Sequence, residues 1–75
     1  MQIIYAIDPR THHSARVHIG CEGYRDLFIE FLITTGHNVA ITDEEKLPER
    51  SVEEQDIVNM LMEAFKHELD SRVLN

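Results

Sequence analysis

The residues of this chain best suited to holding a metal ion are its five histidines and its one cysteine. His18-x-x-Cys21 can place two donors on one zinc, and His12, His13 and His37 can offer the others, with His67 farther along. Structural zinc sites ordinarily supply paired knuckles. A lone thiol completed by loop histidines without motif spacing reads instead as a small apolar cysteine beside solvated imidazoles. The expectation is therefore no metal and no cofactor; a metal-binding regulator built on His12, His18, Cys21 and His37 is the alternative.

Asp8 is the second candidate, because it ends an apolar run, Ile3-Ile4-Tyr5-Ala6-Ile7, and precedes Pro9. A strand closing on Ile7-Asp8-Pro9 resembles the opening of the Holliday-junction resolvases and related RNase H-like nucleases, in which the strand-end Asp helps hold a divalent metal. Where that family continues with Gly, this chain has Arg10. The resemblance implies a metal-dependent nuclease-like fragment using Asp8. Two-metal chemistry requires several carboxylates converging from separate elements, whereas ordinary turn chemistry already accounts for Asp-Pro. Asp8 is thus expected to start a turn. No Ser-His-Asp or Cys-His arrangement has a defensible spacing, and Gly20, Gly23 and Gly36 make no phosphate-cradling loop. The chain reads as non-enzymatic.

Charge is the third feature. The 75 residues carry 14 acids and 7 Lys or Arg, a net of −7. Of this, −5 falls between Asp43 and Asp56, where Asp43, Glu44, Glu45, Glu49, Glu53, Glu54 and Asp56 face Lys46 and Arg50. Glu53, Glu54 and Asp56 suit the positive end of a helix dipole. The remaining acids extend that region into one acidic surface. Nucleic acid and anionic membranes would repel such a protein, so direct binding to either is not expected. A basic protein surface would attract it, and such surfaces commonly hold nucleic acid. The residues expected to meet a partner are Asp43, Glu44, Glu45, Glu49, Glu53 and Asp56.

The elements that must position these groups follow from hydrophobic period. Residues 2–7 are apolar on both alternating faces, as in a central strand. Residues 8–15 read as a polar loop, and Arg16-Val17-His18-Ile19 as a short strand facing Val17 and Ile19 inward, Arg16 and His18 outward. Tyr24, Leu27, Phe28, Phe31 and Leu32 make one helical stripe over 22–35, widened by Ile29 and Ile33 and stopped by Gly36. Residues 38–42 form a third strand, with Val39 and Ile41 on one face, and residues 43–50 a loop. Ser51 and Glu54 have the spacing of a capping box, in which each side chain bonds the other's amide. The helix they open buries Ile57, Leu61, Ala64, Phe65 and Leu69, with Val58 and Met62 on its flank, and continues to about Val73.

The expected fold is one α+β domain over residues 1–75, in the order β-β-α-β-α, with both helices packed on one face of a three-stranded sheet. A single cysteine and an N-terminal apolar run too short for a span point to a cytoplasmic protein without a membrane segment. The wide stripe of the first helix (Phe28, Ile29, Phe31, Leu32, Ile33) offers a homodimer contact as a further alternative.

The size, the acidity and the opening Tyr5-Ala6-Ile7-Asp8-Pro9-Arg10 resemble small phage-encoded inhibitors of host defence, anti-CRISPR proteins among them. That resemblance implies inhibition by occupying a nucleic-acid-handling partner. Small DNA-damage-inducible regulators of the DinI type are similar in combining a short sheet, two helices and an acidic helix. Here the acids open the second helix, whereas Lys66, His67 and Arg72 lie toward its end.

Overall fold

The structure, a computed structural model, describes residues 1–73. Three strands, β1 (Gln2–Ile7), β2 (Ser14–Val17) and β3 (Asn38–Asp43), and two helices, α1 (Glu22–Thr34) and α2 (Val52–Val73), follow one another as β1-β2-α1-β3-α2. The sheet is antiparallel throughout, with β1 in the middle and β2 and β3 at its edges. This is the expected small α+β domain.

Alternation along β1 divides the sheet into two faces. Ile4 and Ala6 pair with Val17 and Ala15 on one side and with Ile41 and Val39 on the other. That face lies under the helices, which add Phe28, Phe31 and Leu32 from α1 and Val58 and Phe65 from α2 to the core. Three phenylalanines make the contact between the helices, with the Phe65 ring centroid 5.1 Å from Phe28 and 5.6 Å from Phe31. Full burial of such a side chain contributes ~1.5–3 kcal/mol, so this trio carries much of the core of a chain that has no Trp.

Ile3 is also fully buried, although it lies on the other face, beside Tyr5. Its cover follows from topology. The 44–51 connection must carry the chain from the β3 edge to the β2 edge, and the Arg16 guanidinium, which shares the Tyr5 face, holds the Glu49 carbonyl at 3.1 Å. The connection therefore runs on the Ile3 side and brings half-buried Leu47 and Pro48 with it. It contains a bend at Glu45 and Lys46 and no helical turn.

Several boundaries differ from the sequence reading. The second strand is Ser14–Val17, two residues earlier than expected, because Asp8 and His13 close the hairpin with the Asp8 N–H donating to the His13 carbonyl at 2.9 Å. Ile19 lies beyond the strand and still packs on the core. Arg16, expected to face water, is half-buried. On α2 the inward line is centred on Val58 and Phe65, both buried, whereas Ala64 is exposed. The length of α2 is as expected.

The end of α1 sets the geometry of the next loop. Gly36 adopts φ +87°, which glycine reaches without a Cβ clash. Its N–H bonds the Ile33 carbonyl at 3.1 Å and the His37 N–H bonds the Leu32 carbonyl at 2.9 Å, the paired closure of a Schellman terminus. His37 is thereby fixed at the head of β3, with its Nδ1 3.0 Å from Thr35 Oγ1.

Candidate functional site

The acidic segment is organised by strand chemistry. Met1 and Glu44 exchange both backbone hydrogen bonds, so odd-numbered residues of β1 bond toward β3 and even-numbered ones toward β2. Arg16, opposite Tyr5, consequently turns its own N–H and C=O away from the sheet. An edge strand normally leaves such groups to water. Here α2 and the residue pair before it close them. The Arg16 N–H donates to Glu54 Oε2 at 2.9 Å, and Arg50 Nε donates to the Arg16 carbonyl at 3.0 Å.

The same carboxylate receives the Arg16 guanidinium in a two-pronged contact, Nε to Oε2 at 2.9 Å and Nη2 to Oε1 at 2.7 Å. The Glu54 side chain is 11% exposed and that of Arg16 26%. The hydrogen bonds from Arg16 hold the Glu54 carboxyl below the usual glutamate range, against the opposing effect of desolvation. Reciprocally, Glu54 raises the Arg16 guanidinium above its usual range.

This arrangement corrects half of the expected capping box. Ser51 Oγ accepts the Glu54 N–H at 3.1 Å, as the spacing predicts. The Glu54 side chain instead turns outward from the helix to Arg16, because a desolvated guanidinium offers a charge-assisted partner that the Ser51 amide cannot match. Arg50 is likewise engaged, with its Nη1 donating to Gln55 Oε1 at 3.1 Å.

The acids expected to meet a partner fall into two groups. Glu53 and Asp56 line an open groove of ≈ 690 Å³ between β2 and the start of α2, together with Tyr5, His13, Ser14 and Arg16. Glu49 precedes the helix on the same side and is exposed, its carbonyl held by Arg16. Asp43 and Glu44 lie at the other edge of the sheet. Asp43 pairs with the N-terminal ammonium at 3.3 Å, and Glu44 accepts from Thr42. Glu45, exposed, lies in the connection between the two groups. Among the described residues Glu45, Glu49, Glu53 and Asp56 take part in no ion pair.

A second groove of ≈ 460 Å³ lies at the far end of β1, with an apolar floor that includes Ala6, Phe31 and Leu61 and a rim that includes Asp8, His13 and His37. Asp8 performs the expected turn chemistry. Its Oδ1 accepts the Arg10 N–H at 2.9 Å, and that bond is the principal cause lowering its carboxyl below the usual aspartate range. No group of three or more His, Cys, Asp or Glu side chains able to hold a metal occurs among the described residues. The nuclease-like and metal-regulator alternatives therefore lack a converged donor set. His18 lies beside Gln2, at the opposite end of β1 from His37, and exposed Cys21 precedes α1.

The homodimer contact expected from α1 is consumed by the core, since Phe28, Phe31 and Leu32 are buried and Ile29 packs against them. Ile33 remains 62% exposed. No described helix is long and apolar enough to cross a membrane. The sequence reading missed Arg16, Arg50 and Glu54 as a unit. Its only trace in sequence was the polar Arg16 between buried Ala15 and Val17. Compared with known proteins, the chain matches no family model, no curated protein and no solved structure.

Proposed function

We propose that this protein is a non-enzymatic inhibitor or regulator that docks the acidic rim at the start of α2 on the basic surface of a partner protein. The observation that carries the reading is the sorting of charge around the β2 edge. Arg16 and Arg50, the cations nearest the rim, are turned onto backbone and carboxylate groups of the protein itself. Glu49, Glu53 and Asp56 are left exposed beside them. Opposite charge on a partner would be steered to that rim, and like charge repelled.

Extended basic surfaces on proteins commonly hold nucleic acid, so the partner that fits this rim is one that handles nucleic acid. Occupying that surface would exclude DNA or RNA without any catalytic step. This is the mode of action implied by the resemblance of residues 5–10 to phage-encoded inhibitors of host defence.

The test is capture of a partner from a lysate of the source cell by the tagged protein and by the Glu49→Lys, Glu53→Lys, Asp56→Lys variant. The wild-type chain should retain a protein at about 50 mM salt and release it near 500 mM, where charge is screened within about 4 Å or less. Added duplex DNA should displace the captured protein, and the variant should capture none. Equal capture by both chains, unaffected by salt or DNA, would remove the acidic rim from the interface.

A further inference from the structure

The two edges of the sheet are built differently. Whereas β2 has the outward N–H and C=O of Arg16 taken by Glu54 and Arg50, β3 has six residues with no Lys, Arg, Pro or Gly to discourage pairing. The hydrogen-bond alternation set by Met1 and Glu44 points the N–H and C=O groups of Val39, Ile41 and Asp43 away from β1. Among the described residues no strand lies beyond them. Ile41 is 49% exposed there, and α1, which packs over β3, leaves Ile33 62% exposed.

The sequence of this edge is complementary to itself in one antiparallel register. Only residues that both point outward can form a hydrogen-bonded pair across a new ladder, which restricts the fully bonded pairs to 39, 41 and 43, because the His37 N–H is already held by the Leu32 carbonyl. With a two-fold axis at Ala40, Val39 faces Ile41 twice, Asn38 faces Thr42, and His37 faces Asp43. Apolar groups then meet apolar ones, polar groups meet polar ones, and the only acid in the strand meets an imidazole. Moving the axis to Ile41 sets Asp43 against Val39 and loses this match. Moving it to Asp43 opposes two carboxylates.

We infer that β3 is the docking edge for a second copy of this chain, forming a continuous six-stranded antiparallel sheet about a two-fold axis at Ala40. The Val39 and Ile41 side chains of the two copies form one apolar strip on the helix-covered face, next to the exposed Ile33 of each α1. Backbone pairing supplies the attraction, and the side-chain pairs fix the register. This contact is separate from the acidic rim, which borders the other edge of each sheet.

Light scattering on the eluted peak, across a range of protein concentrations, reads the assembly directly. The wild-type chain should run at twice its 8.7 kDa, and Ile41→Lys should raise the dissociation constant roughly tenfold or more by placing a charge in the strip. The register is read by crosslinking, with Cys21→Ser as background. Ala40 pairs with its own copy at a non-hydrogen-bonded position, where Cβ atoms approach to about 4.5–5.5 Å, close enough for a disulfide after a small adjustment. Oxidised Ala40→Cys should form a covalent dimer, while Thr42→Cys, facing Asn38, should not. A wild-type chain that remains at 8.7 kDa at every concentration overturns the proposal, as does crosslinking of Thr42→Cys as readily as of Ala40→Cys.

Discussion

At the β2 edge, a half-buried arginine presents its backbone outward, and a carboxylate and a second guanidinium from the α2 side meet it at 2.9 Å and 3.0 Å. The β3 edge presents the same kind of backbone groups to solvent, framed by Val39 and Ile41 instead of charge. Both are outer strands of one small antiparallel sheet, yet in one the outward groups of Arg16 are taken within the chain and the other is left for pairing. The difference shows how a charge can do two jobs at once. Glu54 satisfies an edge and anchors a helix, and by engaging Arg16 it leaves the neighbouring acids of α2 as the exposed charge.

The largest effect is expected at Glu54. Glu54→Ala should lower stability by about 2–3 kcal/mol, because it strands the outward Arg16 N–H and removes a two-pronged charge-assisted bond. For a chain of this size that corresponds to a fall of about 10 °C or more in melting temperature. Amide exchange gives the local readout. The Arg16 amide should be protected in the wild-type chain and exchange rapidly in the variant, whereas the Ile41 amide, measured under dilute monomeric conditions, should be fast in both.

Acid should erase the same interaction. The Glu54 carboxyl is lowered from its ordinary value of 4.5 by Arg16, so its stabilising contribution is complete above that value and is lost as the pH falls through the folded pKa. In urea unfolding from about pH 7 to about pH 3, wild-type and Glu54→Gln chains should differ by a constant amount above 4.5, and the difference should shrink as the pH falls below it. A gap that stayed constant down to the acid end would assign the stability to packing instead of charge.

Ser51→Ala should cost about 1 kcal/mol through loss of the helix cap, leaving the Arg16 contact in place, since Ser51 Oγ bonds the Glu54 amide and not its carboxylate. Ile41→Lys, measured on dilute monomer, should change stability by no more than about 0.5 kcal/mol, because the side chain is 49% exposed. A large loss there would mean that the β3 edge is part of the monomer's own core.

Much of the fold was legible in the period of the apolar residues. Ile4 and Ala6 alternating in β1, and Phe28, Phe31 and Leu32 at helical spacing in α1, define their elements without reference to anything distant. The Ser51 cap and the Gly36 stop were equally local. The register of β2 was not, because it depends on how tightly residues 8–13 close the hairpin, and that closure is set by backbone bonds between Asp8 and His13. The inward line of α2 was displaced toward Val58 because the sequence shows a stripe but not which side of it faces Phe28 and Phe31. Of the expected acids, Glu53 and Asp56 do share one groove; Asp43 was drawn to the N-terminal ammonium, 42 positions away in the chain.

The order of strands and helices, most of the apolar residues of the core and the concentration of acid between Asp43 and Asp56 were written in the sequence. These are properties of short windows, in which hydrophobic period and capping chemistry act between neighbours. Only the tertiary structure decided which acid would be consumed and which left exposed, because Glu54 and Arg16 are 38 residues apart and meet only after the sheet edge and the helix start have been brought together. The same packing decided that one edge of the sheet is closed and the other open, since the direction in which a backbone amide points follows from the register of its ladder and not from the identity of its side chain.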